Sequence, residues 1–240
     1  MHHKNHLQSG FSLVELTVVL VIVALLSSGL LLGLSAQRDV SSNQEAQRQL
    51  DNIKEALLAF AITNGRLPCP AIPTLANTNV NAGQEDRPNT SSACNLAYGA
   101  LPWTSLGLPE TDPWGQRFSY FASLKFTAPV VAPALASFTL ETGIAPTDNS
   151  GTANIKATSA SGSNLASDLA AVVVSHGPLG AGAYTTTGSK LAVAAGDEEE
   201  NANTTSTFVS RTLSPDFNDQ LIWIAPNQLK SRLVAVGKLP

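Results

Sequence analysis

Residues 10–34 read GFSLVELTVVLVIVALLSSGLLLGL, and this stretch decides how the rest of the chain is interpreted. From Phe11 to Leu34 the one charged side chain is that of Glu15, and sixteen of these 24 residues are Phe, Leu, Ile or Val. At about 1.5 Å per residue, a helix of this length crosses a bilayer. Each of the sixteen apolar side chains contributes about 0.4–0.5 kcal/mol to insertion. Together they outweigh the cost of about 3 kcal/mol for burying one carboxylate. The composition therefore predicts a transmembrane helix over residues 11–34.

A cleaved secretory signal peptide is the main alternative for this segment. Its apolar region runs for about 7–15 residues and ends at a small-x-small cleavage site. Here the apolar run is longer, and Leu34-Ser35-Ala36 places leucine where a small residue is needed. We therefore expect the helix to be retained.

Glu15 is unexpected in such a helix, because any apolar side chain would insert more favourably there. The ten residues before Phe11 are polar and include Lys4 and three histidines. Cleavage after Gly10 would leave a free α-amine on Phe11, four residues from Glu15. At about 4 Å and an effective dielectric constant near 20, such an ion pair is worth up to about 4 kcal/mol before desolvation is subtracted. Glu15 thus indicates a cationic partner, from an amino terminus or another helix.

The hexapeptide Gly10-Phe11-Ser12-Leu13-Val14-Glu15, between a basic leader and a long apolar run, resembles the class III signal of type IV prepilins and type II secretion pseudopilins. The resemblance implies that a membrane prepilin peptidase cleaves between Gly10 and Phe11 and methylates the new amine. It also implies that Glu15 neutralises the Phe11 amine of an adjacent subunit during filament assembly. Many major subunits of the family carry proline at the position of Leu32, so this chain is closer to a minor or specialised subunit.

The helical pattern continues beyond the apolar run. Leu50, Ile53, Leu57 and Ala61 recur at helical spacing, and Asn64-Gly65 provides a C-terminal cap. We therefore predict a continuous helix over residues 11–63. Together with the resemblance, this implies an α+β pilin-like fold in which the long helix packs on a small antiparallel sheet. We predict a leader at residues 1–10 and a transmembrane half of the helix at residues 11–34. The amphipathic half of the helix follows at residues 35–64, and a periplasmic head at residues 65–240.

Three later segments have the apolar and aromatic composition of strands, residues 116–126, 171–175 and 220–225, and residues 138–141 are a weaker candidate. The stretch 128–164 has few charges and is rich in Ala, Ser, Thr, Gly and Pro. This composition predicts a flexible surface insert.

Cys69 and Cys94 flank a turn-rich segment. With the leader inside the cell, both thiols reach an oxidising compartment, where closing a loop of about 25 residues contributes roughly 3 kcal/mol. We predict a disulfide, with two buried free thiols as the alternative. A metal site is disfavoured because no histidine lies nearby to complete a ligand set.

Two further motifs extend the resemblance into the head. Asp112-Pro113-Trp114-Gly115 predicts a turn entering a strand and resembles a segment of major type II pseudopilins. The acidic run 197–203 resembles the pseudopilin loop that holds calcium. The resemblance implies Asp197, Glu200 and Asn203 as oxygen ligands, a donor type that suits calcium. The alternative interpretation of the same run is a solvated acidic loop that binds no cation.

The charge balance and the motifs exclude other functions. With 14 basic and 18 acidic side chains, the chain has no cationic excess for nucleic acid. Adjacent Ser175 and His176 would point to opposite faces of a strand, so a hydrolase built from them and Asp168 is disfavoured. For Glu110 and Asp112, a turn is a simpler explanation than a general acid and base pair. We therefore predict that the protein is not an enzyme.

The function implied is a filament subunit, a pseudopilin or minor pilin of a type II secretion or type IV pilus machine. Its expected partners are prepilin peptidase, other pilin subunits, an inner-membrane assembly platform and the membrane. We expect a single pass through the bacterial inner membrane, with a cytoplasmic N-terminus and a periplasmic head. The alternatives are a minor pilin that acts as an adhesin through the insert, and, more remotely, a membrane-tethered periplasmic hydrolase.

Overall fold

A computed structural model of the protein describes residues 12–90, 92–143, 151–193 and 195–240, with backbone only for residues 27–36. The chain divides into two compact units, Met1–Ser42 and Asn43–Pro240. In chain order the helices and strands are α1 (Leu13–Asn64), β1 (Tyr98–Ala100), α2 (Trp103–Leu106), β2 (Ser119–Ala122), α3 (Leu124–Thr127), β3 (Ala153–Ala157), β4 (Asn164–Leu169), β5 (Ala171–Ser175), α4 (Asp197–Ala202), β6 (Thr207–Ser210), β7 (Gln220–Ile224) and α5 (Pro226–Ala235).

Helix α1 is continuous over 52 residues, as the apolar periodicity predicts. Leu50, Leu57 and Ala61 are completely buried, so the predicted apolar stripe faces the core. The helix ends where Gly65 adopts a left-handed conformation, φ +70°, and donates its N–H to the carbonyl of Ala61 at 2.8 Å. This is the C-terminal cap predicted from Asn64-Gly65.

The strands form two sheets. The first has the order β1-β2-β5-β7 with antiparallel pairing throughout. The second has the order β4-β3-β6, in which β3 pairs antiparallel with β4 and parallel with β6. A long N-terminal helix followed by an antiparallel sheet confirms the predicted α+β class and fits a pilin-like fold.

The first sheet carries an apolar cluster on each face. Val173 of β5 packs in one cluster with Leu50 and Leu57 of α1. Val172, whose side chain points the opposite way, packs in the other cluster with Phe208 of β6. The sheet is therefore held between the second half of α1 and the second sheet.

The second sheet corrects the predicted flexible insert at 128–164. Residues 153–157 within that stretch form β3, which is paired on both edges. Ala153 and Ile155 are completely buried, as is Phe208 on the neighbouring strand. The composition is misleading because β3 has a single large apolar residue, and its burial comes from the strands beside it. Residues 144–150 of the predicted insert lie outside the described part of the chain.

The other strand predictions differ in accuracy. Strand β5 matches the predicted residues 171–175, and β7 lies within the predicted 220–225. The predicted strand 116–126 is shorter, because the chain turns into α3 and brings the Phe126 ring within 5.0 Å of the Phe138 ring. The weak candidate at 138–141 is wrong, since these residues form turns.

We expect Gly65→Ala to destabilise the protein more than Gly107→Ala. Both glycines have φ near +70°, at +70° and +67°, so alanine costs roughly 1–2 kcal/mol at either position. A Cβ at Gly65 would also overlap the Leu135 carbonyl oxygen, whereas Gly107 faces open space. We expect the free energy of unfolding to fall by at least about 3 kcal/mol in Gly65→Ala and by about 1 kcal/mol in Gly107→Ala. Urea unfolding followed by tryptophan fluorescence measures both, and equal losses would contradict the close approach of residue 65 to Leu135.

Candidate functional site

The start of α1 is stabilised by its own side chains. The Ser12 N–H donates to Glu15 Oε2 at 3.1 Å, and the Val14 N–H donates to Ser12 Oγ at 3.4 Å. This arrangement resembles a capping box, with the difference that the Ser12 hydroxyl accepts the N–H of Val14 rather than that of Glu15. The carboxylate also lies in the first turn, where the helix dipole favours negative charge. Sequence reasoning treated Glu15 only as a partner for a cation, although the Ser-x-x-Glu spacing is the signal of this second role.

The first described turns of α1 expose apolar side chains on every side. Between Leu13 and Leu26, eleven Leu, Val and Ile side chains are 50–79% exposed. Covering a side chain of this size is worth about 1.5–3 kcal/mol. A continuous surface of this kind marks a site of contact with protein or membrane.

Among the residues whose side chains are described, no helix has a stretch that is both long and apolar enough to cross a membrane. Several predicted features fall outside those residues. They are the leader 1–10, the cleavage site Gly10-Phe11 and the side chains of residues 27–34, which include Leu32.

Comparison with protein families locates a signal in this same region. Residues 5–31 match the prokaryotic N-terminal methylation motif. This motif is the signature of the prepilin-type signals of type IV pilins and pseudopilins, as the hexapeptide predicts. No curated protein and no solved structure matches the chain.

The motif supports a type IV pilin-like or pseudopilin subunit. It implies processing by prepilin peptidase, assembly with other pilin subunits and a location in the cell envelope with a membrane anchor. It also indicates a structural subunit rather than an enzyme.

The head contains a buried array around His176. Ser119 Oγ lies 2.8 Å from His176 Nε2, and Asp219 Oδ1 lies 3.4 Å from Nδ1. Sequence reasoning considered Ser175 and Asp168 as partners of His176, and neither of them bonds to it here. The order Ser–His–Asp resembles that of hydrolases, but the three residues are only 3%, 0% and 2% exposed. A substrate cannot reach the Ser119 hydroxyl in this structure, so the array joins strands within the core.

Asp112 organises the predicted turn. Its Oδ1 accepts the N–H groups of Trp114 and Gln116, both at 3.0 Å, and the Gly115 N–H donates to its carbonyl at 3.0 Å. Its Oδ2 accepts the hydroxyl of Ser175 at 2.8 Å, which ties the turn to the end of β5. Burial raises the pKa of Asp112, and these hydrogen bonds partly oppose the rise.

Glu110 and Asp112 do not act as a pair. Glu110 Oε1 accepts Nε and Nη2 of Arg117 at 2.9 and 2.7 Å. Arg117 is 1% exposed and also donates to the carbonyls of Pro73 and Leu75. The two carboxylates therefore bind different structural partners, as expected of residues that build turns.

The acidic run is a helix rather than the predicted loop, since residues 197–202 form α4. Asp197 Oδ2 accepts Arg211 Nε at 3.0 Å. The Thr205 hydroxyl donates to both Glu200 and Asn203, at 3.2 and 2.7 Å. Within the described ranges, no three His, Cys, Asp or Glu side chains are arranged to hold a metal ion. The three predicted ligands thus accept hydrogen bonds from protein donors, and calcium binding stays an untested prediction.

The two cysteines form the predicted disulfide, with Cα atoms 5.4 Å apart. It joins the segment that leaves α1 to the segment that leads into β1. Cys69 is completely buried, and Cys94 is 9% exposed.

We expect Asp112→Asn to gain stability relative to the parent protein as the pH rises. The pKa of Asp112 is raised in the folded state, so the folded protein holds this proton more tightly than the unfolded chain. Ionisation therefore costs stability above the ordinary carboxyl pKa of about 3.9. Asparagine retains an oxygen for the two N–H groups and does not ionise. Urea midpoints of both proteins between about pH 4 and 7 test this, and a difference that is constant with pH would contradict it.

Proposed function

We propose that the protein is a structural subunit of a type II secretion or type IV pilus filament, a pseudopilin or minor pilin. In this proposal the leader 1–10 is removed between Gly10 and Phe11, and residues 11–34 hold the precursor in the inner membrane. The amphipathic half of α1, residues 35–64, follows this segment, and the head, residues 65–240, lies in the periplasm. The methylation motif at residues 5–31 carries the proposal.

The exposed apolar surface between Leu13 and Leu26 supports it. The same side chains can contact lipid in the precursor and the helices of other subunits in the filament, because both surroundings are apolar. Moving the helix from one to the other therefore leaves its apolar surface covered. An inner-membrane assembly platform is the expected site of that transfer.

Glu15 supports assembly through charge. Its Oε2 accepts the Ser12 N–H at the first turn of α1, so the carboxylate is held at the helix end. After cleavage, that end carries the new α-amine of Phe11. In this proposal, the carboxylate at that end neutralises the amine of an adjacent subunit, and surroundings of low dielectric constant strengthen the attraction.

The mature protein is expected to begin at Phe11. Intact-mass spectrometry of protein from its native host should give the mass of residues 11–240 with one added methyl group. Gly10→Val, which places a branched side chain at the cleavage site, should leave residues 1–10 attached. A mature chain that begins at Met1, or beyond Ala36, would contradict the proposed processing.

We expect Glu15→Ala and Glu15→Gln to be cleaved normally but to enter filaments poorly. Glutamine keeps an oxygen for the Ser12 N–H and lacks the charge, so it separates the capping role from the neutralising role. Loss of the ion pair should lower the amount recovered in sheared filament fractions by at least about tenfold, equivalent to about 1.4 kcal/mol. Immunoblotting of the filament and membrane fractions measures both forms. Normal incorporation of Glu15→Gln would show that the charge is dispensable.

A further inference from the structure

The guanidinium of Arg87 lies against the disulfide. Its Nε and Nη2 lie 3.1 and 2.9 Å from Cys69 Sγ, whereas Nη2 lies 3.7 Å from Cys94 Sγ. Nη2 also donates to the Thr127 carbonyl at 2.8 Å, which fixes the group in place. The cation is therefore directed at one sulfur of the pair.

The charges around this group are unbalanced. Arg66 donates to both oxygens of Glu85, at 2.6 and 3.1 Å, and Arg87 Nε lies 3.8 Å from the same carboxylate. Among the residues that the structure describes, Glu85 supplies the one carboxylate within 4.0 Å of either guanidinium. The side chains of Arg66, Glu85 and Arg87 are only 10%, 15% and 5% exposed. Two cations thus share one anion, with little solvent to screen them.

The pKa of Arg87 reflects this environment. Burial lowers it, the neighbouring Arg66 lowers it further, and Glu85 partly restores it. A second anion beside Arg87 would relieve the unfavourable burial of its charge. Of the groups that Arg87 touches here, the sulfur of Cys69 can become that anion, when the disulfide opens.

The two sulfurs also differ in access. Cys69 is 0% exposed and Cys94 is 9% exposed. Residues 93, 95 and 96 beside Cys94 are exposed, whereas residues 68 and 70 beside Cys69 are buried. Cys94 is therefore the more accessible of the two residues to a thiol from solvent.

We propose that Cys94 is a site of thiol modification, at which a low-molecular-weight thiolate displaces Cys69 as a thiolate held by Arg87. The incoming sulfur forms a bond to Cys94 Sγ, and the bond between Cys94 and Cys69 breaks. Its electron pair goes to Cys69 Sγ, beside the guanidinium. One disulfide replaces another, so the step needs no further oxidant or reductant. A leaving thiol of lowered pKa departs faster, and a nearby arginine lowers that pKa.

The step is reversible. Cys69 remains next to the mixed disulfide, so its thiolate can attack Cys94 Sγ and expel the small thiol. The modification is therefore expected to persist only while the external thiol is present. This proposal concerns the head alone and does not depend on the proposed filament function.

The site of attack can be trapped in the parent protein. The full chain, purified in detergent, is treated briefly with glutathione and quenched with acid, and its peptides are mapped by mass spectrometry. We expect glutathione on Cys94 to exceed glutathione on Cys69 by at least about tenfold, because leaving-group pKa and access both favour that product. Equal labelling, or preference for Cys69, would overturn the proposal.

The role of Arg87 is tested on the free thiols. In Cys94→Ser, the absorbance of the Cys69 thiolate should give a pKa at least about one unit below that of Cys94 in Cys69→Ser. Adding Arg87→Gln to Cys94→Ser should remove this difference, and Arg87→Lys should retain part of it. Far-ultraviolet circular dichroism shows whether each variant is folded. A pKa of Cys69 that is insensitive to Arg87→Gln would contradict the role of the guanidinium, whatever the trapping experiment gives.

Discussion

The head is built around β5, whose five residues, Ala171–Ser175, are completely buried. The strand is paired on both edges, with β2 on one side and β7 on the other. Its alternating side chains enter two different clusters, one with α1 and one with the second sheet. Because a strand in this position must be covered on both faces, it requires both layers. The second half of α1 and the strands β3 and β6 are therefore parts of one packing solution.

Burial of β5 also forces polar groups into the interior, where most find a hydrogen-bond partner. Ser175 donates to Asp112, and Ser119 Oγ hydrogen-bonds to His176 Nε2. On the other side of the ring, Asp219 Oδ1 lies 3.4 Å from Nδ1, and neither of these two atoms makes a hydrogen bond within the described part of the chain. These contacts connect a turn, two strands and the segment before β7. What looks like a set of catalytic residues is thus a set of connections within the core. A buried hydrogen bond of this kind contributes about 1 kcal/mol, but an unpartnered group costs about 1–3 kcal/mol.

Predictions from the sequence succeed where local chemistry decides the structure. The cap at Gly65, the turn at Asp112 and the valine-rich strand β5 each depend on neighbouring residues. The predictions fail where the structure of a segment depends on residues that are distant in the chain. Strand β3 has one large apolar residue and is buried by β6, about fifty residues later in the chain. The acidic run 197–202 becomes helical, with its first carboxylate bound to Arg211, although like charges side by side suggest a solvated loop.

By itself, the sequence determined the long helix and the methylation motif, which follow from apolar periodicity and from a short contiguous signal. It predicted the α+β class through a family resemblance, and it predicted the disulfide with free thiols as the alternative. Only the tertiary structure decided that Arg87 lies on Cys69, that Arg66 and Arg87 share Glu85, and that His176 meets Ser119 and Asp219. Apart from Arg87 and Glu85, which are two residues apart, the partners in these contacts lie 18 to 57 residues apart in the chain. A polar side chain takes its role from the groups that surround it after folding, and no local pattern records which groups those will be.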